Sequence, residues 1–301
     1  MNLRVASRGS RLSLVQVDEV MRYLSRVMGG IRYDIVVVKT RGDVVLDKPL
    51  YSIGGKGLFE KDVDKAVLDG RADIAVHSMK DLPTSIHEDL DIVLVPPRGD
   101  PRDSIIPGIP KGTIESISPG SIIGTSSLRR RALLRHYNDS LVIRDIRGNI
   151  DTRLKKLSGG GYDYIVLAEA GLKRLSLDVD RTIMPVDMFP PAPGQGLLAV
   201  VALRESPLAR TLKRYTDKIA YSSAIAERVF LAHSNAGCHT PIGGVAIPKG
   251  TGLLKFIGAV LPVDGSRIYW LRGEGDLSKP ELLGRKMGEE AYTAMDRWLY
   301  G

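Results

Sequence analysis

The feature that most constrains the fold is an alternation of strand and helix patterns that occurs twice along the chain. Short apolar runs that contain β-branched residues, such as 33–39, 72–78 and 162–170, are predicted strands, and they are separated by segments with helical spacing of apolar residues, such as 10–27. Strands separated by helices of about ten residues indicate βαβ units around parallel sheets. The alternation restarts at residue 121, after the linker PPRGDPRD at 96–103. It therefore predicts two α/β blocks.

Two crossing segments join these blocks, the linker at 96–103 and the Pro-rich stretch MPVDMFPPAPGQG at 184–196. Two lobes joined by two crossings suggest a clamp with a cleft between the lobes, as in binding proteins that close on anions. A small α+β unit follows from about Tyr221, with strands on either side of the VDGS turn at 263–266 and a final amphipathic helix. We predict three domains: residues 1–97 with 197–216, residues 101–190, and residues 218–301.

The composition excludes several classes of site. One cysteine in 301 residues leaves no internal disulfide framework and no multi-cysteine metal site, and the five histidines show no HxxxH or HExxH spacing. We therefore expect no metal. Charges interrupt the N-terminal segment early, and no window approaches the roughly 18 apolar residues of a membrane span. We expect a cytoplasmic protein that does not bind membranes.

Positive charge is concentrated in one part of the chain. The net charge is +8, and residues 126–156 hold nine Lys or Arg against three Asp, which gives +6. Such a run is usually a solvated face, but Arg suits two-pronged binding of carboxylate or phosphate. We interpret it as the site of an acidic ligand. Nucleic acid is not expected, because no helix-turn-helix, zinc or RNP pattern is present and aromatic residues make up only 6% of the chain.

Two segments place polar residues where a strand ends. The first is AVHSMKDLP at 75–83, where Lys80 and Asp81 follow an apolar strand. Ligands of open α/β sheets bind just beyond the carboxyl ends of strands, although a surface turn with a Lys–Asp ion pair is an equal alternative. His77 is interpreted as a packed, hydrogen-bonded histidine. The second segment is GTSSLRR at 124–130, where hydroxyl and Arg side chains occur at a predicted helix start. Such a helix start is suited to bind an anion, and the alternative is simple N-capping by Ser126 or Ser127.

Two further segments are candidates on weaker patterns. Cys238 is the only thiol, and lone cysteines are usually inert buried residues. Its loop, AGCHTP, has polar neighbours and is a plausible setting for an accessible, nucleophilic thiolate. The GGKG segment at 54–57 lacks the spacing of a P-loop and is interpreted as a flexible, cationic flap.

Taken together, nine segments resemble the hydroxymethylbilane synthase (porphobilinogen deaminase) family. In chain order they are TRGDVVLD, GGKGLF, VHSMKDLP, DPRD, GTSSLRR, RGNIDTRL, AGLKRL, PGQG and GCHTPIG. The resemblance implies two domains similar to type II periplasmic binding proteins, plus a small C-terminal α+β domain. It also implies stepwise deamination and head-to-tail condensation of four porphobilinogen molecules on a dipyrromethane cofactor, with release of hydroxymethylbilane and ammonia.

The resemblance also implies roles for individual residues. Asp81 matches the catalytic aspartate, and Cys238 matches the cysteine that carries the cofactor through a thioether. The positions that match cofactor- or substrate-binding residues of the family are Arg8, Ser10, Lys56, Ser78, Lys80, Thr125, Ser127, Arg129, Arg130, Arg147, Arg153, Arg174 and Gln195. Five positions depart from the common pattern: Arg11, Ser13, Ser52, Glu169 and His239.

One alternative function has the same fold. A non-catalytic, anion-binding clamp of the periplasmic-binding-protein type would share the basic cleft, but it would need neither Cys238 nor Asp81. We expect an enzyme that acts on a small molecule, and we expect it to be a monomer.

Overall fold

The computed structural model describes residues 1–39, 60–236 and 240–300, except for the side chains of residues 299 and 300. The described chain forms two compact units. The first contains residues 1–99 and 196–224, and the second contains residues 100–195 and 225–301. The predicted flap at 54–57, Ser52, Cys238 and His239 lie outside the described residues. The predicted division into three domains stays a prediction.

The regular elements are numbered along the described chain. The strands are β1 (Asn2–Arg8), β2 (Arg32–Val38), β3 (Ile74–Ser78), β4 (Leu90–Leu94), β5 (Asp103–Ile106), β6 (Ile122–Gly124), β7 (Val142–Arg144), β8 (Tyr164–Ala168), β9 (Thr182–Ile183), β10 (Leu198–Leu203), β11 (Ile242–Lys249), β12 (Leu253–Val260) and β13 (Tyr269–Asp276). The α-helices are α1 (Arg11–Met28), α2 (Glu60–Leu68), α3 (Leu128–Tyr137), α4 (Ile150–Ser158), α5 (Glu169–Arg174), α6 (Pro207–Lys213), α7 (Lys218–His233) and α8 (Pro280–Tyr300).

The first unit is built on a mixed sheet with the order β2-β1-β3-β10-β4 in its described part. β1 pairs in parallel with β2 and β3, whereas β10 runs antiparallel to β3 and β4. Leu198 to Ala202 of β10 are all buried because helices cover both faces of the sheet. α1 packs Val17 and Leu24 on one face, and α2 packs Val63 and Val67 on the other.

The second unit repeats this arrangement. Its described sheet has the order β7-β6-β8-β5-β9, with β6 parallel to β7 and β8 and with β5 antiparallel to β8 and β9. If the first strand of each block is called 1, both sheets have the order 2-1-3-n-4, where n is an antiparallel strand that follows a crossing segment. The predicted α/β fold class is confirmed.

The C-terminal region of the second unit is an antiparallel sheet, β11-β12-β13, packed against helices. Phe230 of α7, Phe256 of β12 and Met287 of α8 are fully buried in its core. Glycine allows α8 to approach α7 closely, because a Cβ on Gly284 would lie 2.4 Å from the Ala226 carbonyl oxygen. The predicted strands around the 263–266 turn and the predicted final helix are both present.

The sequence pattern misjudged three features. The sheets were expected to be parallel, but β5 and β10 are antiparallel. The strand expected at 162–170 ends at Ala168, where α5 begins, and β5 was interpreted as part of a linker and its following loop. A strand of four residues carries too little periodicity to be recognised.

Among the described residues, no helix is both long and apolar enough to cross a membrane.

Candidate functional site

Asp81 and Lys80 are held at the carboxyl end of the central strand β3. One turn of 3-10 helix, Met79–Asp81, follows this strand. The Met79 backbone N–H donates to the Leu197 carbonyl oxygen at 3.0 Å, and the Leu82 N–H donates to the Met79 carbonyl at 3.2 Å. Met79 and Leu82 are buried, while Lys80 and Asp81 are exposed. The buried pair anchors the turn and leaves an ammonium group and a carboxylate at its surface.

Three other predicted residues belong to the same region of the first unit. Ser78 ends β3, and its Oγ accepts a hydrogen bond from Gln16 Nε2 of α1 at 2.8 Å. Arg8 ends the neighbouring parallel strand β1, and Ser10 is the N-cap of α1, accepting from the Ser13 N–H at 3.2 Å. Because β1 and β3 are adjacent and parallel, their carboxyl ends share one edge of the sheet.

His77 has a structural environment. Its Nε2 lies 2.8 Å from Asp64 Oδ1 of α2, and the exposed fractions of the two residues are 6% and 7%. This geometry agrees with the interpretation of His77 as a packed, hydrogen-bonded residue. The pair joins the buried face of α2 to β3.

Glu60 is a charged residue of this region that sequence reasoning missed. It begins the described part of α2 and is only 6% exposed. Burial and the nearby Asp81 carboxylate raise the pKa of Glu60 to about 7, against smaller opposing effects of its own backbone N–H, His77 and Arg8. Its spacing relative to Val63, Asp64 and Val67 follows one helical face. That spacing was the available signal that Glu60 points inward.

In the second unit, a capping network orders the start of α3. Ser127 is the N-cap, with its Oγ accepting from the Arg130 N–H at 3.4 Å. Thr125 is buried, and its N–H donates to the Arg144 carbonyl oxygen at 2.9 Å. Ser126 instead hydrogen-bonds the backbone of Ile146, from which its Oγ accepts at 3.1 Å. Of the two serines considered as caps, Ser127 therefore has this role.

Arg129 and Arg130 share one buried carboxylate. Arg129 Nη2 lies 2.8 Å from Asp103 Oδ2, and Arg130 Nη2 lies 2.6 Å from Asp103 Oδ1. Arg129 also donates to the Pro190 carbonyl oxygen, and Arg130 to that of Val166. Burial acts to raise the pKa of Asp103, but the two guanidinium groups outweigh it and hold that pKa well below its usual range. Part of the positive charge in 126–156 is thus neutralised inside the protein.

Gln195 belongs to the same buried cluster. Its Nε2 donates to Asp103 Oδ1 at 2.9 Å and to the Pro101 carbonyl oxygen at 2.7 Å. The predicted PGQG glutamine is thus bound to the segment that leads into β5. Its position beside Asp103 was not evident from the sequence, because the two residues are 92 positions apart.

The other predicted arginines lie beyond the carboxyl ends of two parallel strands. Arg147 follows β7, Arg153 is on α4, and Arg174 ends α5, which follows β8. All three are half-buried. Arg153 Nε donates to the Gly148 carbonyl oxygen at 2.8 Å. Their guanidinium groups, like the hydroxyl groups of Thr125 and Ser127, are hydrogen-bond donors of the kind that suits carboxylate groups.

Glu169, one of the departures from the family pattern, is fully buried and paired. Arg181 binds it through two hydrogen bonds, at 2.9 Å from Nε to Oε2 and at 3.0 Å from Nη2 to Oε1, and Ser104 Oγ donates to Oε2 at 2.6 Å. Burial would raise the pKa of Glu169, but these partners lower it overall. The substitution is therefore accommodated by a matching ion pair.

Lys56 and Cys238, both predicted site residues, lie outside the described residues. Within residues 1–39, 60–236 and 240–300, no group of three or more His, Cys, Asp or Glu side chains could hold a metal ion.

Comparison with known proteins assigns the family. Residues 3–211 match the family model described as "Porphobilinogen deaminase, dipyromethane cofactor binding domain", and residues 221–293 match "Porphobilinogen deaminase, C-terminal domain". The chain belongs to the porphobilinogen deaminase family. A probable porphobilinogen deaminase of Hyperthermus butylicus is 49% identical over 94% of both chains. Another, of Aeropyrum pernix, is 46% identical over 99% of this chain and 98% of the relative, and a porphobilinogen deaminase of Roseiflexus castenholzii is 40% identical over 97% and 96%.

Two solved structures that match this porphobilinogen deaminase family member do so at low similarity. Substrate binding domain 2 of Lactococcus lactis GlnP matches with a TM-score of 0.42 and 13% identity, covering 78% of this chain and 90% of that domain. The ectoine-binding protein TeaA matches with a TM-score of 0.39 and 10% identity, covering 71% and 75%. At such values these similarities support no functional comparison.

The porphobilinogen deaminase family match confirms the predicted family, the transferase activity and the dipyrromethane cofactor. It does not favour the non-catalytic clamp. The donors described above fit a cofactor of this kind, because its pyrrole rings carry carboxylate side chains that guanidinium and hydroxyl groups bind well.

Proposed function

We propose that this chain acts as a hydroxymethylbilane synthase with Asp81 as its catalytic carboxylate and Cys238 as the attachment site of its primer. The enzyme deaminates four porphobilinogen molecules, condenses them head to tail, and releases hydroxymethylbilane and ammonia. The observation that carries this proposal is the exposed carboxylate of Asp81, anchored by buried neighbours at a strand end, in a chain that matches the family over nearly its whole length.

Asp81 acts on charge and on protons. Loss of ammonia from porphobilinogen and attack by a pyrrole carbon both develop positive charge on pyrrole nitrogen. A fixed carboxylate stabilises that charge in the transition state. The same group accepts a proton from the reacting pyrrole and returns it in a later step. Exposure gives Asp81 access to substrate, and the Met79–Leu82 anchor limits its movement.

The arginines bind the acidic side chains of the growing product. Each porphobilinogen unit brings an acetate and a propionate, so negative charge accumulates as the chain lengthens. Arg147 in the loop after β7, Arg153 on α4 and Arg174 on α5 bind carboxylates through two-pronged contacts. Thr125 and Ser127 add hydroxyl groups at the start of α3.

The remaining assignments follow the family pattern. Arg8, Ser10, Lys56, Ser78, Lys80 and Gln195 are proposed to bind cofactor or substrate. Arg129 and Arg130 form ion pairs with Asp103, and their role in binding cofactor or substrate stays a prediction. The cofactor supplies a covalently held pyrrole carbon as the first acceptor, and covalent attachment replaces repeated bimolecular capture by positioned reaction. A cytoplasmic location, a monomeric state and the absence of nucleic-acid and membrane partners belong to this proposal.

The test is turnover of porphobilinogen by the purified protein. The proposal expects consumption of four porphobilinogen molecules for each linear tetrapyrrole released, with one ammonia for each porphobilinogen. An anion-binding clamp would bind porphobilinogen without releasing ammonia, and that result would overturn the proposal.

A further inference from the structure

Glu60 lies near the carboxyl ends of β1 and β3, and it is not among the residues that the family resemblance implies for the site. α2 begins at Glu60 in the described chain and packs against both strands. In a βαβ unit the helix runs antiparallel to its strands, so the start of a helix lies near the strand ends that bind ligands. Those ends carry Arg8 on β1 and the Met79–Asp81 turn after β3.

The inward direction of Glu60 follows from its helical face. Glu60, Val63, Asp64 and Val67 are all buried; Val63 and Asp64 lie three and four residues after Glu60, and Val67 lies four residues after Val63. Asp64 lies one turn further along α2 and hydrogen-bonds His77 at 2.8 Å. Glu60 therefore occupies the turn of the same face that lies closer to the strand ends.

Two carboxyl groups with different exposure thus belong to this edge of the sheet. Glu60 is 6% exposed, whereas Asp81 is exposed to solvent. Burial is the largest cause of the raised pKa of Glu60, and the Asp81 charge is the second; His77 and Arg8 act in the opposite direction. A buried carboxyl group beside another carboxylate is costly to ionise. When such a pair holds a single proton, that proton is therefore on the buried carboxyl.

We propose that Glu60 is a positioning residue for Asp81: its carboxyl, buried on the inner face of α2 at the strand ends that carry Asp81, stays protonated and leaves the single negative charge of the pair on Asp81. This inference rests on the proposed catalytic role of Asp81. The inference involves no transfer of a proton between the two groups. A purely structural role would not require an acid, since glutamine has nearly the same shape.

The direct test is a carbon-13 NMR titration of the glutamate carboxyl carbons, with the Glu60 signal assigned by its loss in Glu60→Gln. We expect Glu60 to titrate near pH 7. In Asp81→Asn the Glu60 pKa should shift down toward the ordinary glutamate range, because the repelling charge is gone. An unchanged Glu60 pKa in Asp81→Asn would overturn the inference. This arm keeps Glu60 in place, so it stands even if Glu60→Gln folds poorly.

The second readout is the pH profile of kcat/KM with porphobilinogen. The wild type should show an inflection near pH 7 that is absent from Glu60→Gln. The matched control is Asp69→Asn, the same acid-to-amide change at an exposed position just after α2, and it should keep the wild-type profile. Superimposable profiles of wild type and Glu60→Gln would contradict the inference. Coupled titration without any turnover would instead contradict the proposed function.

Discussion

Arg130 Nη2 lies 2.6 Å from Asp103 Oδ1, with the two side chains 9% and 0% exposed. Arg129 binds the other carboxylate oxygen of Asp103. One buried negative charge therefore holds the start of α3 to β5, and the same helix start carries the Ser127 hydroxyl. The start of α3, which carries the proposed ligand-binding hydroxyl of Ser127, is thus held in place by a buried ion cluster.

Removing the Asp103 charge should destabilise the protein strongly. Asp103→Asn leaves two buried guanidinium groups without their counter-charge, which typically costs about 3–5 kcal/mol. Urea denaturation would measure the free energy of unfolding, with Asp139→Asn, an exposed position, as control. A loss equal to that of the control would show that the cluster contributes nothing to stability.

The arginines of 126–156 should separate into two groups. Arg130→Leu leaves Asp103 buried with one partner fewer, so we expect a loss of about 2–5 kcal/mol in unfolding free energy. Arg147→Leu changes a half-buried side chain, so its unfolding free energy should stay within about 1 kcal/mol of wild type while primer assembly or extension fails. Wild-type activity in Arg147→Leu would show that this arginine only solvates the surface.

Much of this arrangement could be predicted from the sequence, and the remainder depends on distant pairing. Helical spacing and capping residues predicted α1 and α3, and the placement of Asp81 at a strand end follows from one apolar run. The pairing of Arg129 and Arg130 with Asp103 joins residues 26 and 27 positions apart, and local patterns carry no information on it. The ionic partner of Glu169 was likewise hidden, since Arg181 lies beyond the end of α5.

The raised pKa of Glu60 predicts a pH dependence of stability. The folded-state pKa of about 7 exceeds the ordinary value of 4.5, so folding favours the protonated form. The contribution of Glu60 to the free energy of unfolding is fully present below pH 4.5. It is lost as the pH rises through about 7, and the loss is at most about 3 kcal/mol. The unfolding free energy of Glu60→Gln, which stays neutral, should not show this loss. A difference between the two proteins that is constant with pH would contradict the prediction.

Asp81→Asn should separate binding from chemistry. The variant keeps the size of the side chain but removes the charge that opposes the developing pyrrole cation. We expect kcat to fall by about a hundredfold to a thousandfold while substrate affinity changes little. Asp81→Glu restores the charge at a displaced position and should keep more activity than Asp81→Asn. Near wild-type turnover of Asp81→Asn would identify Asp81 as a structural turn residue.

The central claim, a covalently primed synthase, is tested most directly by the intact mass of the purified protein. We predict a wild-type mass larger than that of the unmodified chain by one dipyrromethane unit, and further adducts of whole pyrrole units after brief exposure to porphobilinogen. Cys238→Ala should have the unmodified mass and should make no hydroxymethylbilane, because the only thiol of the chain is gone. An unmodified wild-type mass together with normal turnover, or a Cys238→Ala variant that turns over normally, would contradict the account.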